Sequence, residues 1–410
     1  MKKQKSDGLE TIIEQAIAGM PEVKKWQRVF IGILFRTILL IQGRVNFTTL
    51  ASHSGLHRKT FRRGFQQAFN FERFNANCIE QRPVKGRLLA CIDASFIRKS
   101  GKYTPGLGHF YNGCAKKSEN GLEISEIALI DCESKRAYTL STKQTLDKAG
   151  QTRFDFYADH LKNTVDYLPL ELKHLVADGA YSKKNFVDTV CGLGLEMVGK
   201  LRSDADLEYL YKGKQLPKGR HRKYDGKVYF DDLSRFVYEG EVDKDLHVFA
   251  QTLKHKTLKR IIRVVLLLNT TKKDKPTYIL LFSTDLTLSG TEILELYKLR
   301  FQIEFLFRDA KQFTGLLHCQ ARNLKALDFH FNASMSAVNL AKLNLLINHH
   351  EQKQLQPGTP DFVFSLAVYK HRNFSQALLK RLLSNLDLTL TSNKIFSAFQ
   401  HSLRFGISES

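Results

Sequence analysis

The sequence predicts an α/β protein: a mixed β-sheet core interrupted by a β-rich insertion, preceded by a helical region and closed by further helices. Three observations carry this. Short, nearly continuous apolar runs bounded by turn residues recur from Arg87 onward, as buried strands require. Segments of helical period lie between them. One helical segment, Tyr297 to Lys311, bears a narrow charged stripe on an otherwise apolar surface.

Residues 1–85 alternate helical apolar patterns with basic residues and read as a helical domain. Trp26, the one tryptophan, is expected in its core. Within it, NFTTLASHSGLHRKTFRRGFQQAF reads as two short helices about a turn at Gly55, with Ala51 permitting close packing and Leu56 and Phe61 facing inward. As a helix-turn-helix, its recognition helix is Leu56–Phe65, and His57, Arg58, Lys59, Arg62 and Arg63 face phosphates and groove. A basic helical hairpin that only packs is the plainer alternative.

At Arg87 the texture changes. LLACIDASF predicts a central strand ending on Asp93; GLEISEIALID and SKRAYTLST predict two more, joined by a turn at Cys132–Lys135. Residues 155–167 have helical spacing and stop before Pro169. HLVADGAY is a buried strand with Asp178 at its end, Ser182 is placed to cap the helix KKNFVDTVCGLG, and LEMVGKLRS is a fifth strand. The order of three strands, helix, strand, helix, strand matches an RNase H-like mixed sheet over 86–202 and 276–345. Residues 203–275 form a β-rich insertion subdomain, with strand candidates VYFDDL, LHVFAQTL and RIIRVVLLL and a basic run containing Arg220, His221, Arg222 and Lys223. TYILLFSTD is a further strand; Ser289 caps the striped helix; residues 346–410 form a C-terminal helical region.

The chain has 410 residues, enough for two or three domains, and a formal charge of +22 from 63 basic and 41 acidic residues. So large an excess points to a polyanionic partner, nucleic acid first. No long apolar run follows the start, and Val29–Ile41 is broken by Arg36 and too short to span a bilayer, so a cytoplasmic protein without a membrane partner is expected. Six cysteines lack CxxC or Cys/His spacing and read as reduced thiols.

At about 100° per residue, Tyr297, Arg300, Glu304 and Lys311 fall within an arc of roughly 60°, with Arg308 beside them. Leu294, Leu296, Leu299, Phe301, Ile303, Phe305, Leu306 and Phe307 surround them, so the helix is expected to be buried and its stripe to line a site. One carboxylate amid cations suits a metal ion beside a polyanion. Asp93 and Asp178 end apolar strands that are central neighbours in such a sheet, so with Glu304 they form a trio of oxygen ligands for hard divalent ions. Asp131 and Asp188 are expected in solvent; Asp285 either shapes a turn or lies near the site; His109, after the first strand, either approaches DNA or is a structural loop residue.

The pattern Tyr297, two residues, Arg300, three residues, Glu304, six residues, Lys311 resembles the Tyr–Arg–Glu–Lys signature of one large family of bacterial insertion-sequence DDE transposases. IDAS around Asp93 and ADGAYSKKNF around Asp178 resemble that family's two aspartate strands, and KLRSDADL, KGRHRKYDGK and FRDAKQFTGLLHCQAR agree over roughly residues 85–345. The resemblance implies an RNase H-like core; Asp93, Asp178 and Glu304 as catalytic ligands of two Mg²⁺ ions, replaceable by Mn²⁺; and Tyr297, Arg300 and Lys311 on phosphates of the transposon end. It implies cut-and-paste transposition on double-stranded terminal inverted repeats and target DNA, by a homodimer in the DNA complex. A metal-dependent nuclease of the same fold and a transposase-derived DNA-binding regulator are the alternatives.

Overall fold

The computed structural model describes residues 8–113, 115–271, 276–356, 358–386, 397–399 and 401–402; the rest of the expected C-terminal region lies outside them. Five helices come first: α1 (Gly8–Ala18), α2 (Lys25–Leu40), α3 (Phe47–Ser54), α4 (Arg58–Gly64) and α5 (Phe71–Ile79). Then follow β1 (Leu88–Arg98), β2 (Gly108–Asn112), β3 (Lys117–Asp131), β4 (Arg136–Gln144), α6 (Arg153–Thr164), β5 (His174–Ala177), α7 (Lys184–Gly192) and β6 (Glu196–Leu201). The inserted segment gives β7 (Leu207–Leu210), β8 (Tyr224–Lys227), β9 (Val237–Asp243), β10 (Leu246–His255) and β11 (Arg260–Asn269). The chain returns through β12 (Thr277–Ser283), α8 (Gly290–Leu299), α9 (Gln302–Asp309), a π-turn over Ala310–Thr314, α10 (Leu324–Leu355) and α11 (Leu366–Asn385).

Among the described residues all twelve strands join one sheet, in the order β2-β3-β1-β5-β6-β12-β11-β10-β7-β8, with β4 beside β3 and β9 beside β10. β1 is antiparallel to β3 and parallel to β5, and β5 is parallel to β6. The inserted strands continue the core sheet, because β12 pairs with both β6 and β11. VYFDDL is turn rather than strand beyond Lys227. The hairpin strand β2 had no apolar run to announce it, since its partner stretch at the start of β3 is polar and exposed.

A single apolar core runs from Leu9 to Tyr369 and includes the N-terminal helices. Phe329 of α10 shows why: its ring meets Phe30, Phe65 and Phe71 at 6.3, 4.7 and 5.0 Å. Trp26 is not in that core; it is half exposed on the outer side of α2, whose inward positions are filled by Phe30, Ile31, Leu34 and Phe35.

The 32-residue α10 is buried along most of its length, yet carries polar groups facing β4. The Asn332 amide donates to Thr142 O (2.8 Å) and accepts from Thr142 N–H (3.1 Å). Asn339 does the same to Thr139 at 2.8 and 2.9 Å. Seven helical residues rise about 10.5 Å and three extended ones about 10 Å, so the two spacings match. A bulge at Leu140 leaves the backbone N–H and C=O of both threonines facing α10; the Leu140 carbonyl accepts from Asn75 (3.1 Å) and its N–H donates to the Glu126 carboxylate. The side chains of a helix thus occupy the open edge of the sheet.

Candidate active site

Asp93 follows five consecutive buried residues of β1, and Asp178 follows the wholly buried β5. The two strands run parallel, with Ile92 opposite Ala177 as the last pair. Asp93 and Asp178 are therefore the next residues in line on neighbouring strands, at one end of the sheet. β1 does not stop at Asp93 but continues to Arg98.

Ser289 caps α8 in a capping box with Glu292, and Glu239 of the inserted β9 accepts from the Gly290 N–H at 2.6 Å, placing a carboxylate on the helix N-terminus. The signature segment is not one uniform helix. It tightens at Arg300–Phe301, where Ile303 and Glu304 donate to carbonyls three residues back, and widens into the π-turn at Lys311. Ile303, Leu306 and Phe307 hold α9 inward. The helix is less buried than its composition suggests: Phe301 is 49% exposed and pairs edge-on with Phe305 at 5.1 Å on the outer side.

The stripe meets the aspartates. Arg300 donates to Asp93 Oδ2 at 3.3 Å and to Glu304 Oε1 at 2.9 Å, and the Tyr297 hydroxyl donates to Asp178 Oδ1 at 3.3 Å. Asp178 also attracts Arg300. Arg300 stands at the focus of the three acids, with its side chain 17% exposed, against 20% for Asp93 and 42% for Glu304. Burial pushes the Asp93 carboxyl up to about 6; the Ala94 N–H and Arg300 oppose this, and Asp178 and Glu304 add to it. Burial and Asp178 push the Tyr297 hydroxyl up to about 12, so it remains a donor. Among the described residues no three His, Cys, Asp or Glu side chains stand close enough to share one ion. The acids surround a guanidinium instead. A focus of carboxylate oxygens that already draws in a cation, with its deepest acid destabilised as an anion, suits hard divalent ions chemically. A groove of about 580 Å³ opens beside Asp178, lined by Gly179, Lys200, Arg202 and Ser203.

Other candidates separate from this centre. Arg308 pairs with Asp309 (3.1 Å) and lies over the Phe305 ring. Lys311 is half-buried in the π-turn. His57, Arg58, Lys59, Arg62 and Arg63 are all exposed on α4 or its cap, but the His57 ring accepts the Lys59 N–H at 3.1 Å and so caps the helix. Arg220, His221, Arg222 and Lys223 are exposed in the insertion; Arg222 is held by Asp225 (2.6 Å) and lies over Tyr211.

Asp285 shapes the turn at Thr287 and pairs with His174, at the end of β5 away from Asp178. Asp131 is not solvated: it is buried beside Arg82, 3.8 Å away. Asp188 is a partly exposed partner of Lys184 and Arg260. Ser182 does not cap α7; it donates to Lys200 O at 2.7 Å. The sequence reading missed Glu126, which sits directly opposite Asp93 in the β1–β3 register and is fully buried on the hydroxyls of Thr139 and Thr142. The signal was present: Glu123 and Glu126 differ by an odd number, so in one strand they occupy opposite faces.

Residues 85–340, more than half of the chain, match the family described as transposase DDE domain. The chain belongs to that family, and the mixed α/β architecture with its large sheet agrees with it. Domains of this kind act on DNA and generally use divalent metal ions. No curated protein matches the chain. Among the described residues no helix is long and apolar enough to cross a membrane, and the five described cysteines are free, Cys114 lying outside them.

Proposed function

We propose that this chain is a bacterial insertion-sequence transposase of the Tyr–Arg–Glu–Lys group, with an RNase H-like core, that cuts the two element ends and joins the freed 3′-OH groups to target DNA. The observation that carries the reading is the meeting of Asp93, Asp178 and Glu304 around Arg300, on two adjacent strand ends and the signature helix. Asp93, Asp178 and Glu304 are the residues that would hold divalent ions, Mg²⁺ with Mn²⁺ as a substitute; such ions, when bound, activate an attacking oxygen and stabilise a leaving one.

The chain's own groups do the rest. Arg300, once released from the acids, offers a bidentate grip on a phosphate; Lys311 adds a point charge and the Tyr297 hydroxyl a hydrogen bond. Both reactions are in-line phosphoryl transfers, first to water and then to the 3′-OH, with no covalent protein intermediate. Residues 1–85 serve as the end-reading helical domain through His57, Arg58, Lys59, Arg62 and Arg63; residues 203–275 as a DNA clamp through Arg220, Arg222 and Lys223. Two ends cut in concert call for a homodimer on DNA. The setting is the cytoplasm, at the nucleoid.

The test is incubation with an end-bearing duplex, a target plasmid and Mg²⁺. Joined products are expected. Nicks without joining would make the chain a nuclease, and end binding without cutting in Mg²⁺ or Mn²⁺ would make it a regulator.

A further inference from the structure

A cleft of about 920 Å³ lies between the helical region and the end of β1, apart from the carboxylates. Its walls come from three places. Arg44 and Arg62 belong to the helical region, and Arg62 lies on the helix proposed to read DNA. Arg98, Lys99 and Lys102 continue the strand that carries Asp93. Arg322 lies in the loop that follows the signature helix. Among the described residues no acidic side chain lines the cleft, and none of these six cations forms an ion pair. Lys99 donates to Cys319 O, and Arg98 feels Glu119 of β3. Tyr103 lines the cleft 79% exposed, a large ring open to solvent. Phe47 of α3 also lines the cleft, fixed edge-on against Phe65 at 5.0 Å.

Cations without acids along a recessed channel track a phosphate backbone, and an aromatic ring held free among them takes a base face. A duplex offers no free base face to such a ring, because its bases are stacked on one another. We propose that this cleft holds a short unpaired DNA strand, with a base stacked on Tyr103 and phosphates on Lys102 and Arg322. The proposal rests on the transposase reading, and it assigns the strand that departs from the duplex at the cut end.

The test uses the full-length protein and two end duplexes, one blunt and one with a three-nucleotide overhang carrying 2-aminopurine. The overhang duplex should bind at least 10-fold tighter, with its fluorescence quenched. Tyr103→Ala should remove about 10-fold of that preference. Lys102→Ala with Arg322→Ala should lower the salt slope for the overhang duplex by about 1.4. Both variants should leave blunt-duplex affinity unchanged. Equal binding of the two duplexes by the wild type, or equal weakening of both by the variants, would overturn the cleft assignment while leaving the transposase reading intact. Failure to bind either duplex more tightly than a scrambled one would overturn that reading itself.

Discussion

Gly315 closes the π-turn that holds Lys311, and its φ of +86° lies in the left-handed region. A Cβ there would meet Val45 at 2.6 Å (Cβ), 3.1 Å (Cγ2) and 3.3 Å (Cγ1). Val45 is buried, and its N–H donates to His318 at 3.0 Å, so it has little room to retreat. Gly315→Ala therefore carries two costs: about 1–2 kcal/mol for a side chain in left-handed backbone, and about 1–3 kcal/mol for overpacking. The expected loss is about 2–5 kcal/mol, read by urea unfolding of the purified protein. The two costs separate in a cycle with Val45→Gly, which removes the Cβ at 2.6 Å together with both Cγ atoms and should return the steric share and leave the backbone share. If Gly315→Ala unfolds within about 0.5 kcal/mol of the wild type, or shows no coupling to Val45, the reasoning is refuted.

Asp93→Asn should abolish cleavage while sparing end binding, because it removes an anionic oxygen and little bulk; wild-type cutting by the variant would remove Asp93 from the centre. Lys311→Ala should flatten the salt dependence of end binding by about 0.9 in slope, one phosphate's worth; an unchanged slope counts against the contact. Glu126 is buried and its carboxyl is pushed up to about 8, so the folded state keeps a proton that the unfolded chain has shed. Stability from this group is full below about pH 4.5 and lost by about pH 8; Glu126→Gln should flatten that fall in urea melts at pH 5 and 8, and parallel slopes would contradict it. His160 has the opposite sign: buried between Ser125 and Ser141 at 2.9 Å each, its ring is held neutral down to about 3. Its stabilisation is present above about pH 6.5 and lost as pH falls toward 3, so His160→Gln should shallow the acid limb of thermal unfolding.

The strands carrying Asp93 and Asp178 and the cap at Ser289 were readable because each depends on a local pattern: an apolar run, an acid directly after that run, a Ser three residues before a Glu. Arg300 was legible as a member of the stripe but not as the partner of Asp93, since that pairing joins residues 207 positions apart. The tightening at Arg300–Phe301, beside Cys91 of β1, and the π-turn, whose Thr314 bonds Ser334 of α10, left no mark in side-chain type, because both are backbone adjustments to packing. Asp131 misled because solvation is the usual fate of a strand-end aspartate, and only the fold brings Arg82 to it. The continuity of the inserted strands with the core sheet depends on register between β6 and β12, which periodicity does not encode.

The amide ladder on α10 has a consequence for how the chain is made. Asn339 lies 200 residues downstream of the threonine it seals. At ribosomal speeds of about 5–20 residues per second, β4 waits roughly 10–40 s with its outer N–H and C=O groups bare. Any product released before Asn332 keeps that margin open for good, and a bare strand margin templates the addition of other chains. Prematurely terminated copies should therefore collect in inclusion bodies, while the full-length product stays dispersed.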